Sequence, residues 1–148
     1  MPSLNYREIE GIDSNWSASE SDNMLIKKGF KLKSGDSSRS GARFIYVRSN
    51  PAEEAAIAGV RFEDGARIFA LEYHLASESA YNGFVRKLGS SRYKLNKSSG
   101  CYSIFMGTYE SLCIRLNGRI LGFYSIVYSH YQGKEISHSA GTGALDGN

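Results

Sequence analysis

The sequence predicts an α+β domain made by tandem duplication. Two αββββ units, each a helix followed by a four-stranded antiparallel sheet, would join into one curved sheet with the helices on one face. Three observations predict it. Ala18-Ser19-Glu20-Ser21 recurs as Ala76-Ser77-Glu78-Ser79. Leu25-Ile26-Lys27-Lys28 matches Phe84-Val85-Arg86-Lys87, and Arg43–Val47 matches Tyr102–Met106, both at an offset of 59 residues. In each copy the helix-forming segment precedes a run of short strand-like segments bounded by turn residues. The domain then covers 1–131, with repeats at 17–75 and 76–131, and 132–148 forms a small-residue tail.

The elements follow in chain order. Weak alternation in 1–16 predicts an added strand, with Trp16 packing where the first helix begins. Ser17 and Glu20 have capping-box spacing, so a helix opens there and stops near Gly29. Asn50-Pro51-Ala52-Glu53-Glu54 offers a cap residue, Pro at the first helical position and acids in the first turn, which predicts a short helix. In the second copy Ala80, Tyr81, Phe84, Val85 and Leu88 share one helical face, and Gly89 ends it. Strands are predicted at 30–33, 42–48, 57–63, 66–75, 92–96, 101–106, 112–117 and 119–131.

Asp64-Gly65 and Asn117-Gly118 mark hairpin turns. With the second turn there, Ile114 faces Leu121 and becomes the equivalent of Val60, just as Leu121 becomes that of Phe69. One sheet face then collects Val60, Phe62, Phe69, Leu71, Tyr73, Ile114, Leu116, Leu121, Phe123 and Val127, and this face takes the helices. The opposite face carries Tyr46, Arg61, Ile68, Glu72 and His74 from copy one. Copy two adds Phe105, Arg115, Ile120, Tyr124, Ile126, Tyr128 and His130. The layout resembles the tandem arrangement of the β-lactamase inhibitor protein, which grips its target enzyme with a concave sheet face; no motif accompanies the likeness.

Composition limits the function classes. A chain of 148 residues that is 41% hydrophobic and 22% charged has globular values and can bury a core. No apolar run is long enough to span a bilayer, and the first residues lack a basic segment followed by an apolar one. A cytoplasmic protein with no membrane partner is expected. Three histidines and two cysteines show no CxxC, HxxxH or HExxH spacing, so neither a metal nor a cofactor is expected. The natural register of the 101–117 hairpin pairs Met106 with Leu112 and sets Cys101 too far from Cys113 for a disulfide, so two free thiols are expected.

Chemistry-bearing residues are few. Ser137-His138-Ser139 lacks the surroundings of a nucleophile elbow. Glu72 and His74, two apart on one strand, project from one face and could share a proton. Seven of ten tyrosines lie after residue 75. Tyr124 and Tyr128, with Arg115 and His130 at the margin, predict a protein-binding sheet face, since Tyr and Arg anchor interfaces. The expected function is therefore a non-enzymatic protein-binding module of the inhibitor or immunity type. A nucleic-acid reading rests on Arg86, Lys87, Arg92, Lys94 and Lys97, a basic segment without acids, and on Tyr93 as a stacking ring. A third reading places a small-molecule or catalytic pocket between sheet and helices. A deep pocket with convergent polar groups would favour it.

Overall fold

A computed structural model of the chain describes residues 2–14, 18–38, 41–60, 67–106 and 110–132. Among these residues three helices, α1 (Tyr6–Ser14), α2 (Ala18–Lys27) and α3 (Glu78–Gly89), accompany eight strands in one antiparallel sheet. The strands are β1 (Lys31–Ser38), β2 (Gly41–Ser49), β3 (Ala52–Val60), β4 (Arg67–Leu75), β5 (Lys94–Asn96), β6 (Cys101–Met106), β7 (Glu110–Ile120) and β8 (Phe123–Gln132). Their spatial order is β1-β2-β3-β4-β8-β7-β6-β5. Two meanders thus meet where their last strands, β4 and β8, pair antiparallel. The fold is a mixed α+β architecture on one antiparallel sheet, with two helices ahead of the first meander and one ahead of the second.

The predicted added strand at the N-terminus is a helix instead. Asn5 caps α1: its Oδ1 accepts from the Glu8 amide at 2.9 Å, while Glu8 Oε1 accepts from the Asn5 amide at 3.1 Å. This reciprocal pair satisfies two donors that a helix start leaves open. Ile9 and Ile12 are buried on the sheet, and Trp16 lies outside the described residues. Ser77 caps α3 by accepting from the Ala80 amide, and Phe84 and Leu88 are its buried face.

The predicted short helix at 50–54 is also overturned. Asn50 and Pro51, joined by a cis peptide bond, form the two-residue turn between β2 and β3, and Glu53 lies within β3. Glu53 is buried and ion-pairs with buried Arg48, whose Nη2 is 2.7 Å from Glu53 Oε1. Tyr73 and Ser3 donate hydroxyl hydrogens to the same carboxylate. The Arg48 guanidinium also donates to the carbonyls of Lys28 and Pro2, and it lies over the Phe30 ring. A charge pair out of water is tolerable only with such company.

The decisive difference lies in the last hairpin. The turn is Leu121-Gly122, with φ of 52° and 86°, and Ile120 faces Phe123. Positive φ at both central residues is what a type I′ turn requires. Gly118, at φ 69°, adjoins a bulge in β7. Ile114 therefore faces Tyr128, and Leu116 faces Ile126. Tyr128 and Ile126 turn to the helix side and are fully buried, whereas Leu121 is 94% exposed. Burying an isoleucine and a tyrosine at about 1.5–3 kcal/mol each outweighs leaving one leucine outside. The expected equivalence of Phe69 with Leu121 fails, and the Asp64-Gly65 turn lies outside the described residues.

The helix-facing core contains Ile9, Ile12, Leu25, Phe30, Phe84 and Leu88 against Ile57, Leu71, Tyr73, Ile114, Ile126 and Tyr128. Val127, expected in this core, points to the other face with Arg115, its partner in register. There the sheet carries small side chains such as Ala56, Ala58 and Ala70.

The two cysteines are not free. Met106 pairs with Glu110 and Ile104 with Leu112, a register two residues tighter than expected, which makes Cys101 and Cys113 diagonal neighbours. They form a disulfide with Cα atoms 5.6 Å apart. Two predictions follow from these buried groups. Neither cysteine should alkylate before reduction, and Cys101→Ser with Cys113→Ser should lower unfolding free energy by about 3 kcal/mol in urea. Glu53→Ala should cost about 3–5 kcal/mol in the same assay, because Arg48 would be left buried and unpaired.

Candidate functional site

The described residues place a cleft of about 1120 Å³ between α1 and the sheet, lined chiefly by residues of α1, β6, β7 and β8. Its apolar wall is Phe69, Ile104, Phe105, Met106 and Leu112. A smaller cleft of about 550 Å³ shares Arg7, Glu10, Arg92 and Ile104 with it and extends along Ser90–Tyr93.

One end of the larger cleft is an ionic cluster built across 117 residues of sequence. His130 leaves β8 on the helix side, where α1 presents Asp13 and the start of β7 presents Glu110. His130 Nδ1 is 2.7 Å from Asp13 Oδ2, and Nε2 is 3.1 Å from Glu110 Oε2. Ionised carboxylates can only accept, so both contacts are hydrogen bonds only when the ring carries both protons. Burial lowers the His130 pKa, but the hydrogen bonds and charges of Asp13 and then Glu110 prevail and raise it above the usual 6.5. Tyr128 donates its hydroxyl to Asp13 at 2.6 Å. Burial, reinforced by the Asp13 charge, pushes the Tyr128 phenol up, so it remains a donor at neutral pH.

Along the other end Tyr93 donates to Glu10 Oε2 at 2.5 Å, with its phenol raised by burial and by that carboxylate. All three acids of the cleft are therefore engaged by internal donors. Arg7 and Arg92 line the same cleft, and neither forms an ion pair among the described residues.

The residues singled out from sequence are dispersed. Tyr128 was expected on the free face as an interface anchor; it is fully buried under α1, because the hairpin turns at Leu121-Gly122. Tyr124 is on the same side, half-buried, with its ring 4.9 Å from Tyr81 and the Arg119 guanidinium 5.8 Å away. Arg115 is on the opposite face and donates to Cys101 Sγ at 3.3 Å. Of that set His130 joins the ionic cluster directly and Tyr128 joins it through its hydroxyl on Asp13. In the basic segment Arg86, Lys87, Arg92, Lys94 and Lys97 are exposed, but Tyr93 is buried and so is not a free stacking ring.

Glu72 and His74 do meet, with Oε2 and Nε2 2.6 Å apart, on the face away from the helices. They line a cleft of about 490 Å³ beside the β7–β8 tip, where Phe123 stacks on His74. Asp13, Glu110, Glu10 and Arg7 were not singled out from sequence. The Asn5/Glu8 cap spacing was the available signal that 6–14 is a helix able to carry Arg7, Glu10 and Asp13 over the sheet. Among the described residues no group of three or more His, Cys, Asp or Glu is arranged to hold a metal ion, and no helix is long and apolar enough to cross a membrane.

In comparisons with protein-family models, curated proteins and solved structures, the chain matches none.

The cluster makes a pH prediction. A His whose folded pKa is raised stabilises the fold fully below its unfolded value, near 6.5, and loses that contribution as pH rises through the folded value. The melting temperature of the wild type should therefore fall relative to that of His130→Gln between about pH 6 and about pH 9. Parallel pH profiles would show that the cluster does not tie α1 to the sheet.

Proposed function

We propose that this chain is a non-enzymatic binding protein whose ligand seats in the cleft beneath α1 and carries an anionic group on an apolar body. One observation carries the reading: each of the cleft's acids accepts from Tyr93, Tyr128 or His130, while its two guanidiniums, those of Arg7 and Arg92, form no ion pair among the described residues. Arg7 is hydrogen-bonded to Tyr6 and drawn to Glu10 only at longer range. The cleft's volume slightly exceeds that of ordinary ligand sites, and its apolar wall suits an aliphatic or aromatic body. Of the functional readings open from sequence, convergent polar groups in a half-open cleft favour the ligand pocket. A protein partner remains compatible with this reading if it inserts such a group. The nucleic-acid reading keeps its exposed cations without the Tyr93 ring.

Two finer readings belong with this proposal. The two meanders derive from duplication, supported by the matched segments Arg43–Val47 and Tyr102–Met106 occupying the second strand of each. The disulfide favours folding in an oxidising compartment over the cytoplasm.

The test uses two dyes with the same rings. The anion 8-anilinonaphthalene-1-sulfonate should bind about tenfold more tightly than neutral N-phenyl-1-naphthylamine, as expected for about 1.4 kcal/mol from a charged hydrogen bond. Arg7→Ala with Arg92→Ala should erase the difference without moving the melting temperature. Equal affinity of the two dyes for the wild type, or no binding, refutes the proposal.

A further inference from the structure

The sheet's two edges are unlike. β1 opens with Lys31 and Lys33 and is broken by a bulge between Leu32 and Ser34, devices that blunt an edge against pairing. At the other edge β5 is only three residues long, and its pairing with β6 ends at Lys94 facing Ser103. β6 continues to Met106, so among the described residues no strand pairs with the outer side of Ile104–Met106. This stretch holds no charge. Phe105 and Met106 are 54% and 48% exposed.

Both clefts run along this bare edge. Ile104 lines both, Phe105 and Met106 line the larger, and Arg92 lies in each. An open strand edge beside a groove with apolar and charged subsites is the requirement for recognition by strand addition. Main-chain hydrogen bonds supply affinity, and alternate side chains of the guest enter the groove. The exposed segment spans about 10 Å, enough for three guest residues in register.

Resting on the cleft reading above, we infer that the natural occupant is an extended acidic polypeptide segment that adds as a strand to the outer edge of β6. Its carboxylates enter the cleft toward Arg7 and Arg92, and the alternate apolar side chains lie on the opposite sheet face, against exposed Phe105. Charge decides between guests: each of the cleft's carboxylates already accepts an internal hydrogen bond, whereas Arg7 and Arg92 form no ion pair among the described residues, so an acidic segment is favoured over a basic one.

The probe is a fluorescein-labelled, end-blocked heptapeptide of alternating Val and Glu, read by anisotropy on the full chain. It should bind and displace 8-anilinonaphthalene-1-sulfonate, and the Lys-for-Glu version should bind at least about tenfold more weakly. N-methylation of alternate amides tests strand pairing, because only one edge of the guest faces β6. One set of methyl groups should weaken binding at least about 30-fold, and the complementary set less than about threefold. Phe105→Asp and Arg92→Glu, both at exposed positions, should each weaken the peptide about tenfold with unchanged melting temperatures. Equal effects of the two methylated sets overturn strand addition. A dye that binds while no peptide does leaves the cleft reading standing and overturns this inference; failure of both overturns both. A concentration-dependent dimer of the chain abolished by Phe105→Asp would assign the edge to a second copy instead.

Discussion

The pairing of β4 with β8 is the constraint on which the rest depends. It joins the closing strands of two meanders, from Arg67 facing Tyr131 to Leu75 facing Tyr124. Side chains alternate along a strand, so its register decides which face receives every residue on both sides. In the observed register Leu71 and Tyr73 stand with Tyr128 and Ile126 under the helices. A slip of one residue would turn Tyr128 and His130 away from Asp13 and break the polar contacts of α1 with β8. The cleft exists because this seam holds His130 where α1 can reach it.

Legibility in the sequence followed the range of the interactions involved. The helices at 18–27 and 78–89 were readable because caps, glycine stops and apolar spacing are local. The helix at 6–14 carried a cap in Asn5 and Glu8, but its apolar residues were few enough to read as weak alternation. Asn50-Pro51 misled for a physical reason: the same residues that start helices also make tight turns, and only the pairing of Ser49 with Ala52 separates the two. Asn117-Gly118 misled in the same way. Two turn signals lay four residues apart, and the burial of Ile126 and Tyr128 selected the less obvious one.

The site was less legible than the fold. His130 and Arg92 were singled out, though for other roles, while Asp13, Glu10 and Arg7 come from a segment not read as a helix. Their contacts span most of the chain, and no local spacing encodes an acid on the first helix meeting an imidazole on the last strand. The disulfide shows how fine the margin is. A hairpin two residues tighter brings Cys101 and Cys113 from out of reach to diagonal neighbours.

Arg48 satisfies, with one guanidinium, the carbonyls of Pro2 and Lys28 and the Glu53 carboxylate, which in turn serves Tyr73 and Ser3. Contacts from the N-terminal segment, the end of α2, and strands β2, β3 and β4 thus share a single charged group. None of Arg48, Glu53 and Tyr73 can be exchanged for an apolar residue alone, because each exchange strands another polar atom in the core. Relatives of this chain should therefore vary at positions 48, 53 and 73 as a set, with single steps between alternatives passing through unstable intermediates. The hub makes this corner of the sheet a place where sequence drift is blocked one residue at a time, though a concerted change could succeed.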